Sequence, residues 1–268
     1  MSLEYRSEEP KTEISAEQSE NVQQTAFVVP YYSIILIACL VAVFVSQIVA
    51  DGKNSALEGG RMSVALAGFV KQFFNEGQYW RILTGVALHG GIAHLAFNGY
   101  ALYSFGKLIE TLSNRAHLAI VFLLSAIGGG ILSLIFLPEV PSIGASGGII
   151  GFLGYMTVYA FKRRKLLAEG FLKNMLFNVG FIAFIGVFVM PNIDNFAHLG
   201  GLLVGVIYGF LQIPGDLYKD PREISQTTKI FGFAALGIFI LTAIFSILLL
   251  LGIFTIKFPE LSYLSLIQ

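Results

Sequence analysis

Apolar residues in this chain come in runs long enough to cross a bilayer, and few polar residues interrupt them. A spanning helix needs about 20 predominantly apolar residues. Runs near that length occupy 31–50, 90–111, 116–137, 143–161, 171–190, 196–213 and 230–256, so the pattern predicts seven helices. The second and fifth are the most polar, holding His94, Asn98, Lys107 and Glu110, and Lys173, Asn174 and Asn178. Tyr31 and Tyr32 mark the first boundary, where amphipathic rings favour the membrane–water interface. Between the first two runs lies a long segment, 51–89, in which Met62, Leu66, Phe69, Val70 and Phe73 recur at helical spacing. Arg61, Lys71 and Gln72 take other positions on the wheel, which predicts a short amphipathic helix in the interface. A loop collapsed on the bundle would carry the same pattern. Residues 1–30 differ: Glu4, Glu8, Glu9, Glu13, Glu17 and Glu20 stand against Arg6 and Lys11. So little apolar surface cannot offset ordering entropy, and a disordered acidic tail is expected.

Composition excludes the other broad classes. Of 268 residues, 55% are hydrophobic and 13% charged, against roughly 25% charged in a water-soluble domain. Mean hydropathy is +0.74. Seventeen Lys and Arg balance seventeen Asp and Glu, leaving no basic field for a nucleic-acid partner. The single cysteine, Cys39, excludes an intrachain disulfide and a Cys-based zinc site. With the N-terminus inside, the inner segments hold Lys107 and Arg115, then Lys162, Arg163, Arg164, Lys165 and Lys173, then Lys219, Arg222 and Lys229. The short outer loops at 138–142 and 191–195 hold none, although 51–89 adds Lys53, Arg61, Lys71 and Arg81. The positive-inside rule then gives a cytoplasmic N-terminus and an external C-terminus. The N-terminal segment is too acidic for a mitochondrial transit peptide, so a bacterial plasma membrane is the expected location. The Lys162–Lys165 run is a topological anchor before it is a lipid head-group site.

Polar groups inside spans are costly and mark function. Of the four histidines, His117 follows Arg115 at a helix start and is expected at the interface. Ser146, in Gly144-Ala145-Ser146-Gly147, opens the fourth span; His198, in Ala197-His198-Leu199-Gly200-Gly201, opens the sixth. Ser146 lies 16 residues before Lys162 and His198 18 before Asp216, roughly 24 and 27 Å at 1.5 Å per residue. Both therefore sit at matching depth, just beneath the outer surface of a core about 30 Å thick. Gly147, Gly151 and Gly154 form one stripe, and Gly201, Gly205 and Gly209 another. Facing glycines let helices touch backbone to backbone, which would bring a hydroxyl within reach of an imidazole, as an activated nucleophile requires. His94 and Asn98, four apart, share one face of the second span and can both donate to an oxyanion. A metal site would need three firm ligands, and no carboxylate lies in the outer half of a span to supply one. Asp194, four residues before His198, is the one nearby carboxylate that could orient it; a Ser–His dyad is preferred.

These residues carry a resemblance. Gly144-Ala145-Ser146-Gly147 with Gly151, Ala197-His198-Leu199-Gly200-Gly201 with Gly205, His89…His94…Asn98 and Trp80-Arg81 together resemble the rhomboid family of intramembrane serine proteases. The resemblance implies an all-α polytopic membrane protein. A six-helix catalytic core would cover 31–213, with 51–89 as its external loop. Residues 214–268 would add a cytoplasmic linker, a seventh transmembrane helix at 230–256 and a short external tail. It further implies Ser146 as nucleophile, His198 as general base, and His94, Asn98 and the Ser146 backbone amide as oxyanion donors. His89 matches a family position of structural role, and Trp80, Arg81 and the motif glycines are supporting. No metal or organic cofactor is implied; the partners are lipid and single-pass transmembrane substrates. One position departs: Ile150 stands where relatives often place an aromatic against the base. Two other readings compete. A small transporter would place charges at mid-span, and the secure spans have none. An inactive rhomboid-like binding protein would lack the Ser or the His.

Overall fold

A computed structural model describes residues 29–190 and 193–256, and the expected acidic tail falls outside them except for its last two residues. In chain order the helices are α1 (Tyr31–Asp51), α2 (Ser55–Glu58), α3 (Arg61–Ala67), α4 (Lys71–Asn75), α5 (Arg81–Ala87), α6 (Ile92–Leu112), α7 (Arg115–Phe136), α8 (Ser146–Lys162), α9 (Phe171–Phe184, continued by a π-helical turn at Ile185–Val189), α10 (Asn195–Gln212) and α11 (Gln226–Leu250). No strand occurs among the described residues. Seven helices are long and match the seven apolar runs. Five of them, α1, α7, α9 with its π turn, α10 and α11, are long and apolar enough to cross a membrane. The other two are α6 and α8, the helices that carry polar chemistry or begin at it. The polar fifth run qualifies where the fourth does not, because α8 starts only at Ser146 and has just 17 residues.

Helix α8 is the axis of the bundle, with 13 of its residues buried and α6, α7, α9 and α10 packed around it. Its seam with α10 is made of glycines. A Cβ on Gly201 would overlap the Gly147 carbonyl, and one on Gly205 that of Gly151. These are the two stripes seen in the sequence, now in contact. A second seam joins α10 to α7: a Cβ on Gly200 would lie 2.5 Å from the Gly128 oxygen, and one on Gly129 2.5 Å from the Ala197 oxygen. With no side chains between them, the backbones approach as closely as helices can, and dispersion contacts replace the hydrophobic drive that lipid removes.

Helix α1 buries Ser33, Leu36, Leu40, Val43, Phe44 and Gln47, one stripe at helical spacing. Pro30 at its start offers no side-chain acceptor. Glu110 from the end of α6 supplies one, accepting from Ser33 N–H at 2.9 Å and Ser33 Oγ at 2.7 Å, where a carboxylate also suits the helix dipole. At the same end, Lys162 donates to the carbonyls of Phe210 (2.6 Å) and Ile213 (2.8 Å), and Arg163 to those of Asp216 (2.6 Å) and Lys219 (2.7 Å). Half of the Lys162–Lys165 run thus caps α10 and its following loop.

In the segment 51–89 the apolar pattern from Met62 to Phe73 does not form one short amphipathic helix. It breaks between α3 and α4, because Phe69 exchanges both backbone hydrogen bonds with Ser142 at 3.1 Å, and a helix would have used those groups itself. Phe69, Val70 and Phe73 are buried as their spacing suggests; Met62 is exposed, and Lys71, expected on the polar face, has no exposure at all. Arg81 organises the turn. Its guanidinium donates to Gly68 O (2.8 Å), Ala65 O (2.9 Å) and Gln78 Oε1 (2.7 Å), between the rings of Phe73 and Trp80. Trp80 meets Phe245 of α11 edge-on, with centroids 5.2 Å apart.

Candidate active site

Ser146 is the first residue of α8, and what precedes it is fixed by backbone. Gly144 has φ +117°, which favours glycine, and donates its N–H to Gly85 O at 2.9 Å. Its missing side chain matters too: a Cβ there would come within 2.8 Å of His94 Cε1 and 3.6 Å of Asn98 Nδ2. Ala145 provides no side-chain cap, so the N–H groups of the first turn lack partners from their own helix and point with the positive end of the dipole. His198 sits in the first turn of α10. The imidazole Nε2 lies 2.8 Å from Ser146 Oγ. The carbonyl just before it, Ala197 C=O, is held between Gly129 of α7 and Gly147 of α8. The equal depth estimated for the two residues thus becomes a direct hydrogen bond across a glycine seam.

His94 and Asn98 project from one face of α6 toward Gly144. The Gly90 N–H donates to His94 Nδ1 at 3.3 Å, so Nδ1 is the acceptor and the proton of the neutral ring sits on Nε2. Asn98 is buried, and its Nδ2 has no hydrogen-bond partner among the described residues. A buried unpaired donor is costly; here it lies beside the backbone leading to Ser146. His89 is fully buried with its ring 5.0 Å from that of His94. Gln47 of α1 holds its backbone from both sides, accepting from His89 N–H at 2.9 Å and donating to His89 O at 3.1 Å. Gln47 was not singled out from the sequence, although a lone amide in an apolar run is the signal that would have found it.

One expectation changes, and the geometry bears on two open points. His117 is not an interfacial surface residue: it is buried in the bundle, with Nδ1 2.9 Å from Tyr208 OH. Chain order places it beside Arg115 but does not reveal that α10 covers it. Asp194 does not orient the His198 ring. One carboxylate oxygen accepts from Ala197 N–H at 2.9 Å, and the other accepts from the hydroxyls of Ser133 and Ser142. Asp194 is the N-cap of α10, a role its spacing from His198 also permits. Ile150, the departure noted in the sequence, is buried in α8. The Ser146–His198 bond forms with isoleucine there.

Comparison with known proteins settles the family. The Rhomboid domain model matches residues 76–215, just over half of the chain. The chain belongs to the rhomboid family. Among curated relatives, this rhomboid is similar to "Rhomboid protease GluP" of Bacillus subtilis (strain 168), 39% identical over 145 residues that make up 53% of this chain and 28% of that protein. It is similar to "RHOMBOID-like protein 6, mitochondrial" of Arabidopsis thaliana, 35% identical over 163 residues, 58% of this chain and 52% of that protein. "Putative rhomboid protease YdcA" of Bacillus subtilis (strain 168) is 31% identical over 137 residues, 51% of this chain and 68% of that protein. The alignments with the first two relatives thus cover about a quarter and about half of those proteins' lengths. With its long apolar helices, this rhomboid is an integral membrane protein.

Proposed function

We propose that this rhomboid is an intramembrane serine endopeptidase that cuts single-pass transmembrane proteins in or near their membrane segment, using Ser146 and His198 as a dyad. One observation carries the reading: a hydroxyl and an imidazole 2.8 Å apart inside an apolar bundle, where neither would be retained without use. The family and the protease names of two relatives support it.

His198 Nε2 takes the Ser146 proton as Oγ attacks the scissile carbonyl. The developing oxyanion meets the Ser146 backbone amide, the Asn98 amide and the His94 Nε2–H. All three are donors in a site where water is scarce, and there they are worth most. The imidazolium returns its proton to the leaving amine, and the acyl-enzyme is hydrolysed by water through the same base. Every step uses groups of the chain and water. The orientation we propose is a cytoplasmic N-terminus and a site near the outer face of a plasma membrane. The end of the bundle with Lys107, Arg115, Lys162–Lys165, Lys173, Lys219, Arg222 and Lys229 supports it.

The test is cleavage of a tagged single-pass protein in proteoliposomes, alongside labelling by a fluorophosphonate. Label on Ser146 and cleavage, both lost in Ser146→Ala and His198→Ala, is the expected result. Cleavage persisting in both variants would remove the assignment.

A further inference from the structure

Outside the site lies a partly buried polar cluster that joins three separate segments. Lys71 of α4, without any exposure, donates from Nζ to Val140 O and to Ser142 Oγ, the latter at 2.5 Å, and stands 4.0 Å from Asp194 Oδ2. Ser133 and Ser142 both donate to that same oxygen. The two hydroxyls also lie 3.0 Å from each other, and the other carboxylate oxygen receives the Ala197 N–H. A carboxylate with only a fifth of its surface exposed is steadied by a nearby cation. Among the described residues, Lys71 is the cation the structure sets against Asp194 in an ion pair. Burial pushes its pKa down to about 8, with Asp194 pulling the other way.

The cluster's position gives it a use. Ser142 precedes Ser146 by four residues, and Asp194 precedes His198 by four. Each is the anchor of the irregular stretch leading into one half of the dyad. Ser142 is also the residue whose backbone pairs with Phe69, two before Lys71.

Building on the proteolytic reading above, we propose that Lys71 is a positioning residue: as counter-ion to Asp194 it locks the lead-ins of α8 and α10 together and so sets the Ser146–His198 distance. Removing Lys71 alone leaves Asp194 charged and uncompensated, which loosens the cap of α10. Removing both charges while keeping a capping acceptor, with Asn at 194, relieves the imbalance. This sign pattern separates charge pairing from mere packing, because a packing role would make the second substitution worse.

The experiment is a double-substitution cycle on the full chain in proteoliposomes, with Lys71→Met, Asp194→Asn and the pair. Its readouts are the fluorophosphonate labelling rate of Ser146, kcat and KM for a single-pass substrate, and the melting temperature. Lys71→Met should slow labelling and lower kcat by at least about tenfold, as a sub-ångström misplacement does, with KM within about twofold. The double variant should label faster than Lys71→Met. Wild-type labelling in Lys71→Met, or a double variant no faster than Lys71→Met, overturns the proposal. Should Lys71→Met fail to fold, Asp194→Asn alone, which keeps the cap, must still slow labelling; a wild-type rate there overturns it equally. If the wild type takes no label and cuts nothing, the proteolytic reading falls by itself. The lock is then read from the melting temperatures of the same cycle, and additive shifts overturn it.

Discussion

The carbonyl of Ala197, which lies between Gly129 and Gly147, allows a sharp test at a residue outside the dyad. In Gly129→Ala a new methyl on α7 would stand 2.5 Å from the Ala197 oxygen, closer than the 3.0 Å below which such contacts essentially never occur. Helix α10 must therefore move by at least about 0.5 Å, overpacking that costs about 1–3 kcal/mol. The motion is resisted on the far side, where Gly201 and Gly205 already bring α10 against the carbonyls of Gly147 and Gly151 of α8. His198 is the next residue. Its 2.8 Å bond to Ser146 would stretch beyond the reach of about 2.6–3.2 Å that proton transfer needs. Since a misplacement of about 1 Å costs about 100-fold, kcat should fall between about tenfold and 100-fold. Alanine in place of glycine returns about 1 kcal/mol of helix propensity, so the melting temperature should move only slightly. The assay is cleavage of a single-pass substrate with thermal unfolding followed on the same samples. Gly237→Ala on α11, where a methyl meets nothing within 4 Å, serves as the neutral control. A Gly129→Ala enzyme whose kcat stays within twofold of wild type would refute the account of how the seam sets the site.

Asn98→Ala should leave the melting temperature unchanged, because Nδ2 makes no hydrogen bond at rest, yet lower kcat by about 10²–10³ if that amide serves the oxyanion; parallel losses of stability and rate would contradict the role. Arg81→Met orphans the buried carbonyl of Ala65 at about 1–3 kcal/mol and leaves that of Gly68 with the Val70 N–H alone, so a lower melting temperature and faster proteolysis within 61–87 are expected. Lys71 has a pKa depressed to about 8 when folded, against an ordinary value of about 10.4. The unfolded chain therefore holds the proton more tightly between these values, and stability rises with pH across that window. The melting temperature of the wild type should gain on that of Lys71→Met from pH 8 to 10; a constant difference would show that the ammonium is not desolvated.

The apolar runs and both glycine stripes were legible in the sequence because each depends on local periodicity alone. The nearness of Ser146 and His198 was legible by a different route, as equal depths measured from the charged ends of two spans. What escaped depends on which element covers which. Lys71 looks solvent-facing on a helical wheel, but α4 is a fragment of five residues, and the partner that buries its cation is the chain before α8. His117 has nothing in its neighbourhood along the chain to foretell Tyr208, 91 residues away. The Gly128–Gly129 seam lay inside an apolar run with no functional residue beside it, so its contact with Ala197 came only with the coordinates. Asp194 was noticed for its closeness to His198, and its spacing fits a helix cap as well as a catalytic partner.

The stretch matched by the Rhomboid domain model, 76–215, is smaller than the unit that holds the site. Gln47, which grips the backbone of His89, comes from α1, upstream of that stretch. Downstream, Phe239 of α11 stands 5.0 Å from Phe122 and edge-on to it, and a side chain at Gly232 would strike Ala116. Trimming the polypeptide to the common domain would therefore strip support from both flanks of α7 and from the loop behind His94. Homology and autonomy have different borders in this molecule, and shortened versions should be cut outside α1 and α11.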